Sequence, residues 1–292
     1  MKQGRIVRAM AGYYHVYSAG DIYLTKPRGL FRLENITPTV GDKVDFEPDI
    51  LHMEGTIISI YPRDNLLLRP RVSNISSSLM VFSLSQPVPD YLLLDKLICN
   101  SISQGIEPIL VFNKCDLDQE ERKRAKEIYS LTPYSVHFVS ALTGQGIDDL
   151  RQCLGGGIHV VSGPSGSGKS SLLNAFGVKH EVEVGEISSK LKRGRHTTRH
   201  VQLLPIEEDT FIVDTPGFSN LDLNDNIDPL LLRECFEEFI PFMQECRYDN
   251  CLHAPEPQCG VKTALKNSLI HPKRYENYLT LLDILQSRKD YL

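Results

Sequence analysis

The sequence predicts a multidomain α/β protein: a small β-barrel first, then a mainly parallel sheet flanked by helices, then a helical module. Three observations predict it. Short β-rich segments punctuated by glycine run from residue 1 to about 70, apolar runs alternate with helical patterns from about 71 to 225, and strand patterns stop from about 226 to 292.

The first region contains RIVRAM, YYHVYS, DIYLT, DKVDFEP and GTIISIY, separated by Gly12, Gly20, Gly29, Gly41 and Gly55. Short strands at this spacing close into a small barrel, OB-like or SH3-like. Such barrels often bind oligonucleotides, and packing against the rest of the chain or binding protein is the competing use. In the second region LMVFSL, EPILVFN, SVHFVSA, GIHVVSG and DTFIVDTP alternate with helical stretches such as PDYLLLDKLICNSISQG. Buried runs alternating with helices predict a parallel sheet covered on both faces, with ligands at the carboxyl ends of the strands. In the third region DPLLLRECFEEFIPFMQE reads as one amphipathic helix. Two more helices follow a Cys/His loop, the last opened by Pro272.

Composition narrows the class. A chain of 292 residues with 41% hydrophobic and 24% charged residues is ordinary for a soluble globular protein of two or three domains. The first twenty residues lack the apolar core of a signal peptide and no run is long enough to span a membrane, so a cytoplasmic protein is expected. A net charge of -5 excludes a generally basic surface and leaves nucleic-acid contact to local patches, such as Lys190, Lys192, Arg193, Arg195 and Arg199.

Chemistry enters with Gly163, Pro164, Ser165, Gly166, Ser167, Gly168, Lys169, Ser170 and Ser171. The spacing G-x-x-x-x-G-K-S between an apolar strand and a helical pattern makes a phosphate-binding loop. Its glycines let backbone N–H groups converge on phosphate oxygens, Lys169 brings charge to the β and γ phosphates, and Ser170 is a ligand for Mg²⁺. Asn113, Lys114, Cys115 and Asp116 follow the strand PILVF. A carboxylate at Asp116 accepts two hydrogen bonds from the N1–H and amine of guanine, whereas adenine offers no such pair. Asn113 would tie this loop to the phosphate loop, and the stem of Lys114 would cover the base. Ser140 and Ala141 are placed to meet guanine O6 through a backbone N–H. Asp214 and Gly217, in DTPG, are placed for Mg²⁺ through water and for the γ-phosphate. In GRHTTR, either Thr197 or Thr198 could complete the Mg²⁺ shell, and His196 is a candidate to position water.

The order of these motifs is unusual. In an ordinary GTPase the phosphate loop comes first; here NKCD and the Ser140–Ala141 pair precede it, as in a circularly permuted P-loop GTPase domain. The C-terminal segment then carries Cys246, Cys251, His253 and Cys259. Three thiolates and an imidazole suit a closed structural Zn²⁺ site, with free thiols or disulfides as the alternative.

Permuted GTPase motifs between a small barrel and a Cys-Cys-His-Cys cluster resemble the RsgA (YjeQ/YloQ) family of small-ribosomal-subunit biogenesis GTPases, over essentially the whole chain. The resemblance implies an OB-type barrel, binding to the small ribosomal subunit and its rRNA, GTP hydrolysis stimulated by that subunit, and a late role in its maturation. It matches Asn113 to Asp116, Gly163 to Ser171, Asp214 to Gly217, His196 to Thr198 and the four cysteine and histidine ligands to the family's functional motifs. A monomer using GTP/GDP, Mg²⁺ and one structural Zn²⁺ is expected. Phe218 stands where Ras-like proteins carry a water-positioning Gln, and Gly166 where potassium-activated GTPases carry Asn. Two other classes stay open: a nucleotide-dependent binding switch with negligible turnover, which would share every motif, and a nucleic-acid-processing ATPase, which would share the phosphate loop but lack NKCD.

Overall fold

The computed structural model describes residues 1–33, 36–68, 71–178, 201–207, 209–214 and 222–289. The chain forms two compact units, one drawn from Met1–Ser76, Arg151–Val161 and Ser170–Phe218, the other from Ser77–Leu150, Ser162–Lys169 and Ser219–Leu292.

In the first unit, strands β1 (Lys2–Met10), β2 (Tyr13–Ser18), β3 (Asp21–Pro27), β4 (Lys43–Asp49) and β5 (Glu54–Ile60) follow the predicted segments. They pair in the order β1-β2-β3-β5-β4 and close through β1–β4, all antiparallel except β3–β5. This is a five-stranded barrel of the OB type. Ile6, Val16, Tyr23, Val44, Phe46 and Ile57 fill it, with the Tyr23 and Phe46 rings 5.1 Å apart. The fit leaves no room at Gly4, where a Cβ would stand 2.4 Å from Val16 Cγ1. The same unit adds two strands that the sequence pattern did not separate, β6 (Leu66–Leu68) and β7 (Arg71–Ser73), paired as a hairpin. Among the later strands, β11 (Gly157–Ser162) runs parallel to β13 (Thr210–Asp214), and β12 (Gln202–Glu207) is antiparallel to β13. β12 meets β1 at Arg8 and Gln202, which joins the barrel to this sheet.

The second unit holds a parallel sheet of β8 (Ser77–Ser83), β9 (Glu107–Asn113) and β10 (Ser135–Phe138) in the order β10-β9-β8. Helices α2 (Tyr91–Ile102) and α3 (Gln119–Tyr129) pack on it, after the short α1 (Leu30–Leu33) of the first unit. Asp90 and Asp118 cap α2 and α3 by accepting from the amides of Leu93 and Glu121, each cap contributing about 1 kcal/mol. Helix α4 (Ile147–Cys153) begins in this unit, and helix α5 (Lys169–Ala175) lies in the first unit from Ser170 onward.

The expected single helix from Asp228 is instead three pieces: α6 (Pro229–Glu234), a 3-10 turn (Glu237–Phe239) and α7 (Ile240–Met243). Phe236 leaves the helical region at φ -98 and ψ 75, and Pro241 removes an amide that a continuous helix would use. The break lets Phe236 and Phe239 turn into one core with Tyr278. Then come α8 (Gly260–Lys266) and α9 (Pro272–Lys289), which Pro272 opens as expected.

Candidate nucleotide site and metal cluster

The loop after β11 is shaped by glycines that tolerate neither another φ nor a side chain. Gly163 has φ 131 and a Cβ there would lie 2.1 Å from Val81 O; Gly168 has φ 92 and a Cβ there would lie 2.2 Å from Asn113 Nδ2. Within this loop the Lys169 ammonium donates to the carbonyls of Gly163 (2.9 Å) and Pro164 (2.7 Å), and burial lowers its pKa. Ser167 is buried, and its hydroxyl has no hydrogen-bond partner among the described residues. Ser170 and Ser171 follow as exposed residues in the first turn of α5.

Asn113, the last residue of β9, ties three loops together. Its Nδ2 donates to Ser167 O (3.1 Å), while its Oδ1 accepts from the amides of Lys114 (2.8 Å) and Ala141 (3.0 Å). Lys114 sits at φ 61 and sends its ammonium to Gly166 O (2.9 Å) and to Gln86 O. A two-point hold therefore sets the distance between the NKCD loop and the phosphate loop. Asp116 is exposed, and its side chain has no hydrogen bond among the described residues, so both carboxylate oxygens are available as acceptors. The Cys115 amide donates to Val139 O (3.1 Å), joining the loop to the residue that follows β10. The Ser140 amide donates to Gln145 O (2.9 Å) and the Ala141 amide to Asn113, so the N–H groups of both residues, one of them expected to meet guanine O6, are engaged within the loops.

Asp214 is the last residue of β13. His196, Thr197, Thr198, Gly217 and Phe218, together with the basic run from Lys190 to Arg199, lie outside the described residues. The loop Ser83–Pro87 carries no motif in the sequence, yet Gln86 receives Lys114 and Pro87 Cδ would stand 3.3 Å from a Cβ at Gly166. Its only sequence signal is the end of an apolar strand beside a proline.

At the other end of the second unit, Cys246, Cys251, His253 and Cys259 bring their ligand atoms within 4.8 Å of one another, an arrangement that could hold a metal ion. Cys246 Sγ lies 3.8 Å from Cys259 Sγ, and His253 Nδ1 lies 3.6 Å from the first and 3.3 Å from the second. Burial keeps the imidazole neutral, with a pKa of about 4, which leaves a ring lone pair for a metal. Burial, and then the neighbouring thiols, push Cys251 up to about 12. Three thiolates this close would repel each other, and a bound cation offsets that repulsion. The loop is fixed from two sides. Glu256 accepts from the amides of Leu252 (2.8 Å) and Ala254 (2.9 Å), and the hydroxyls of Tyr275 and Tyr278 on α9 donate to His253 O and Leu252 O, both at 2.6 Å.

Comparison with known proteins assigns the permuted arrangement. The RsgA GTPase family matches residues 60–224, and the RsgA N-terminal domain matches residues 3–57. This chain belongs to the RsgA GTPase family. It is similar to the small ribosomal subunit biogenesis GTPase RsgA of Agathobacter rectalis, 40% identical with 99% of each chain covered. The protein of the same name from Caldanaerobacter subterraneus is 42% identical over 96% of this chain and 94% of its own. Among solved structures, YjeQ from Thermotoga maritima superposes with a TM-score of 0.83 at 36% identity, covering 98% of both chains. YloQ, described as a circularly permuted GTPase, also has a TM-score of 0.83, at 31% identity over 99% of this chain and 96% of that one. The chain is a GTPase of this family, with the barrel, the permuted nucleotide-binding fold and the C-terminal helices carrying the Cys/His cluster. Among the described residues no helix is long and apolar enough to cross a membrane.

Proposed function

We propose that this RsgA-family GTPase acts in late maturation of the small ribosomal subunit, binds that subunit through its rRNA, and hydrolyses GTP faster when bound there. The observation that carries this reading is the Asn113 hub: one side chain links the phosphate loop, the NKCD loop and the Ala141 loop, as a site that reads guanine and phosphate together requires. The relatives' shared name supports the ribosomal part. The functional divisions are the barrel (1–70), the GTPase domain (71–225) and the metal-binding module (226–292).

Within the site, Asp116 reads the guanine edge, Lys114 and Cys115 line the base loop, and Ser140 and Ala141 frame the base. Gly163 to Gly168 cradle the phosphates. Lys169 neutralises the β and γ phosphates; Ser170, Asp214 and Thr197 or Thr198 would hold Mg²⁺, and Gly217 would contact the γ-phosphate. When bound, Mg²⁺ supplies charge neutralisation between those phosphates. His196 orients the attacking water in the subunit-bound state, a role left open by Phe218, which cannot orient water. The C-terminal cluster would hold one structural Zn²⁺ on Cys246, Cys251, His253 and Cys259. A tetrahedral ion with bonds of about 2.3 Å to sulfur and about 2.05 Å to nitrogen sets ligand–ligand edges of about 3.8 and about 3.5 Å. The separations of 3.8, 3.6 and 3.3 Å among Cys246, His253 and Cys259 fit those edges, and Cys251 completes the set within 4.8 Å. The protein acts as a cytoplasmic monomer.

The test is co-sedimentation of the full chain with purified small subunits in the presence of a non-hydrolysable GTP analogue or GDP. Binding favoured by the analogue supports the reading, and equal absence of binding in both states defeats it.

A further inference from the structure

Within the first unit lies a cleft of about 640 Å³, where β1, the end of β2 and the start of β4 meet the Gly156–Gly157 turn and Asp209. Its size is that of a small-ligand site. Its chemistry differs from the usual OB recognition face on the second and third strands.

Arg5 of β1 is the cationic wall. Its guanidinium lies 5.8 Å from the centre of the Phe211 ring and donates through Nη1 to Gly41 O (3.3 Å), its one side-chain hydrogen bond among the described residues. A guanidinium carries five donors, so the rest can serve a ligand in the cleft. Lys43 adds an exposed ammonium at the rim. Tyr61 presents a ring 37% exposed, and its orientation is fixed because its hydroxyl donates to Asp45 (3.1 Å) and accepts from Gln3 (2.7 Å). The Asp64 and Asp209 carboxylates also line the cleft, where both act electrostatically on Arg5 and neither accepts a hydrogen bond among the described residues.

A held guanidinium and an exposed ammonium suit a phosphate, a preoriented ring suits a base face, and carboxylates free of hydrogen bonds suit base amines or ribose hydroxyls. The carboxylates disfavour a bare polyanion, and the polar lining disfavours an apolar ligand. We propose that this cleft takes a single unpaired nucleotide of RNA, its phosphate on Arg5 and Lys43, its base on Tyr61, and its donors on Asp64 and Asp209. The proposal rests on the reading that the partner is ribosomal RNA, and it adds a specific contact point.

The test measures binding of a fluorescein-labelled single-stranded RNA decamer, and separately of purified small subunits, over a salt series for the full chain, Lys43→Gln and Tyr61→Leu. Melting curves check that both variants fold, and the exposed Lys43 keeps the test independent of any packing role of Tyr61. Loss of one phosphate contact should lower the salt slope for the decamer by about one in Lys43→Gln. Loss of stacking should weaken decamer binding about tenfold in Tyr61→Leu with the slope unchanged. A decamer that the wild-type chain does not bind, or binds with the same affinity and slope in Lys43→Gln, overturns the cleft. Decamer binding that depends on the cleft, with no binding to subunits, keeps the cleft and overturns the ribosomal reading instead.

Discussion

Arg274 of α9 and Asp95 of α2 form a hydrogen-bonded ion pair between side chains 1% and 0% exposed. Glu238 takes the other side of the same guanidinium at 2.6 and 3.0 Å, Tyr129 and Asn277 donate to Asp95 at 2.7 Å each, and the Phe236 ring lies 4.4 Å from the guanidinium carbon. Burial pushes the Asp95 carboxyl up, and Arg274 opposes that shift. Helix α9 is thus anchored on α2 by Arg274 and Asn277, while Tyr275 and Tyr278 of the same helix hold the metal loop.

Arg274→Met should destabilise the chain by about 3–5 kcal/mol, because it strands two buried carboxylates without a cation. Urea denaturation measures it. Adding Asp95→Asn and Glu238→Gln should recover much of the loss, and an unchanged midpoint in the single variant would show that the network carries no stability.

Gly168→Ala places a Cβ 2.2 Å from Asn113 Nδ2 at a φ of 92. Either Asn113 leaves Ser167 or the loop moves, and strain of about 1–3 kcal/mol should cost GTP affinity roughly tenfold or more. Isothermal titration reads the effect directly, and wild-type affinity would remove the Asn113 hub from the nucleotide site.

Asp116→Asn should lower GTP affinity roughly 100-fold, about the value of two charge-assisted hydrogen bonds, and should favour XTP, whose carbonyl accepts from an amide. Parallel titrations with GTP and XTP check it. Retained preference for GTP would take Asp116 out of base reading.

Metal analysis should find one zinc per chain, lost in the Cys251→Ala, Cys259→Ala double variant. Chelation should raise hydrogen exchange first in residues 246–259, with α9 protected longer by Arg274 and with GTP binding mostly retained. Zinc retained in the double variant would contradict the ligand set.

Much of this was legible because the phosphate loop, NKCD and the cysteine cluster are local in sequence, and backbone and ligand geometry fix their spacing. The barrel strands were legible for the same reason, through alternation and glycine turns. What stayed hidden depends on distant partners. Asp95 sits among buried apolar residues of α2, a sign that a charge needs a partner, but nothing local points to Arg274, which lies 179 residues away. Gln86 acts through its carbonyl, which any residue supplies. The break after Glu234 turns on Phe236 and Phe239 entering a tertiary core, which overrides the continuous helical pattern.

The most direct measurement is GTP hydrolysis by the purified chain with and without purified small ribosomal subunits. Phe218 leaves the switch II motif without a water-orienting amide, so the isolated chain should turn over slowly. Subunits should raise the rate on the order of 100-fold, the value of one well-placed transition-state donor. Rapid hydrolysis by the free chain, or a rate that subunits leave unchanged, would contradict subunit-stimulated turnover.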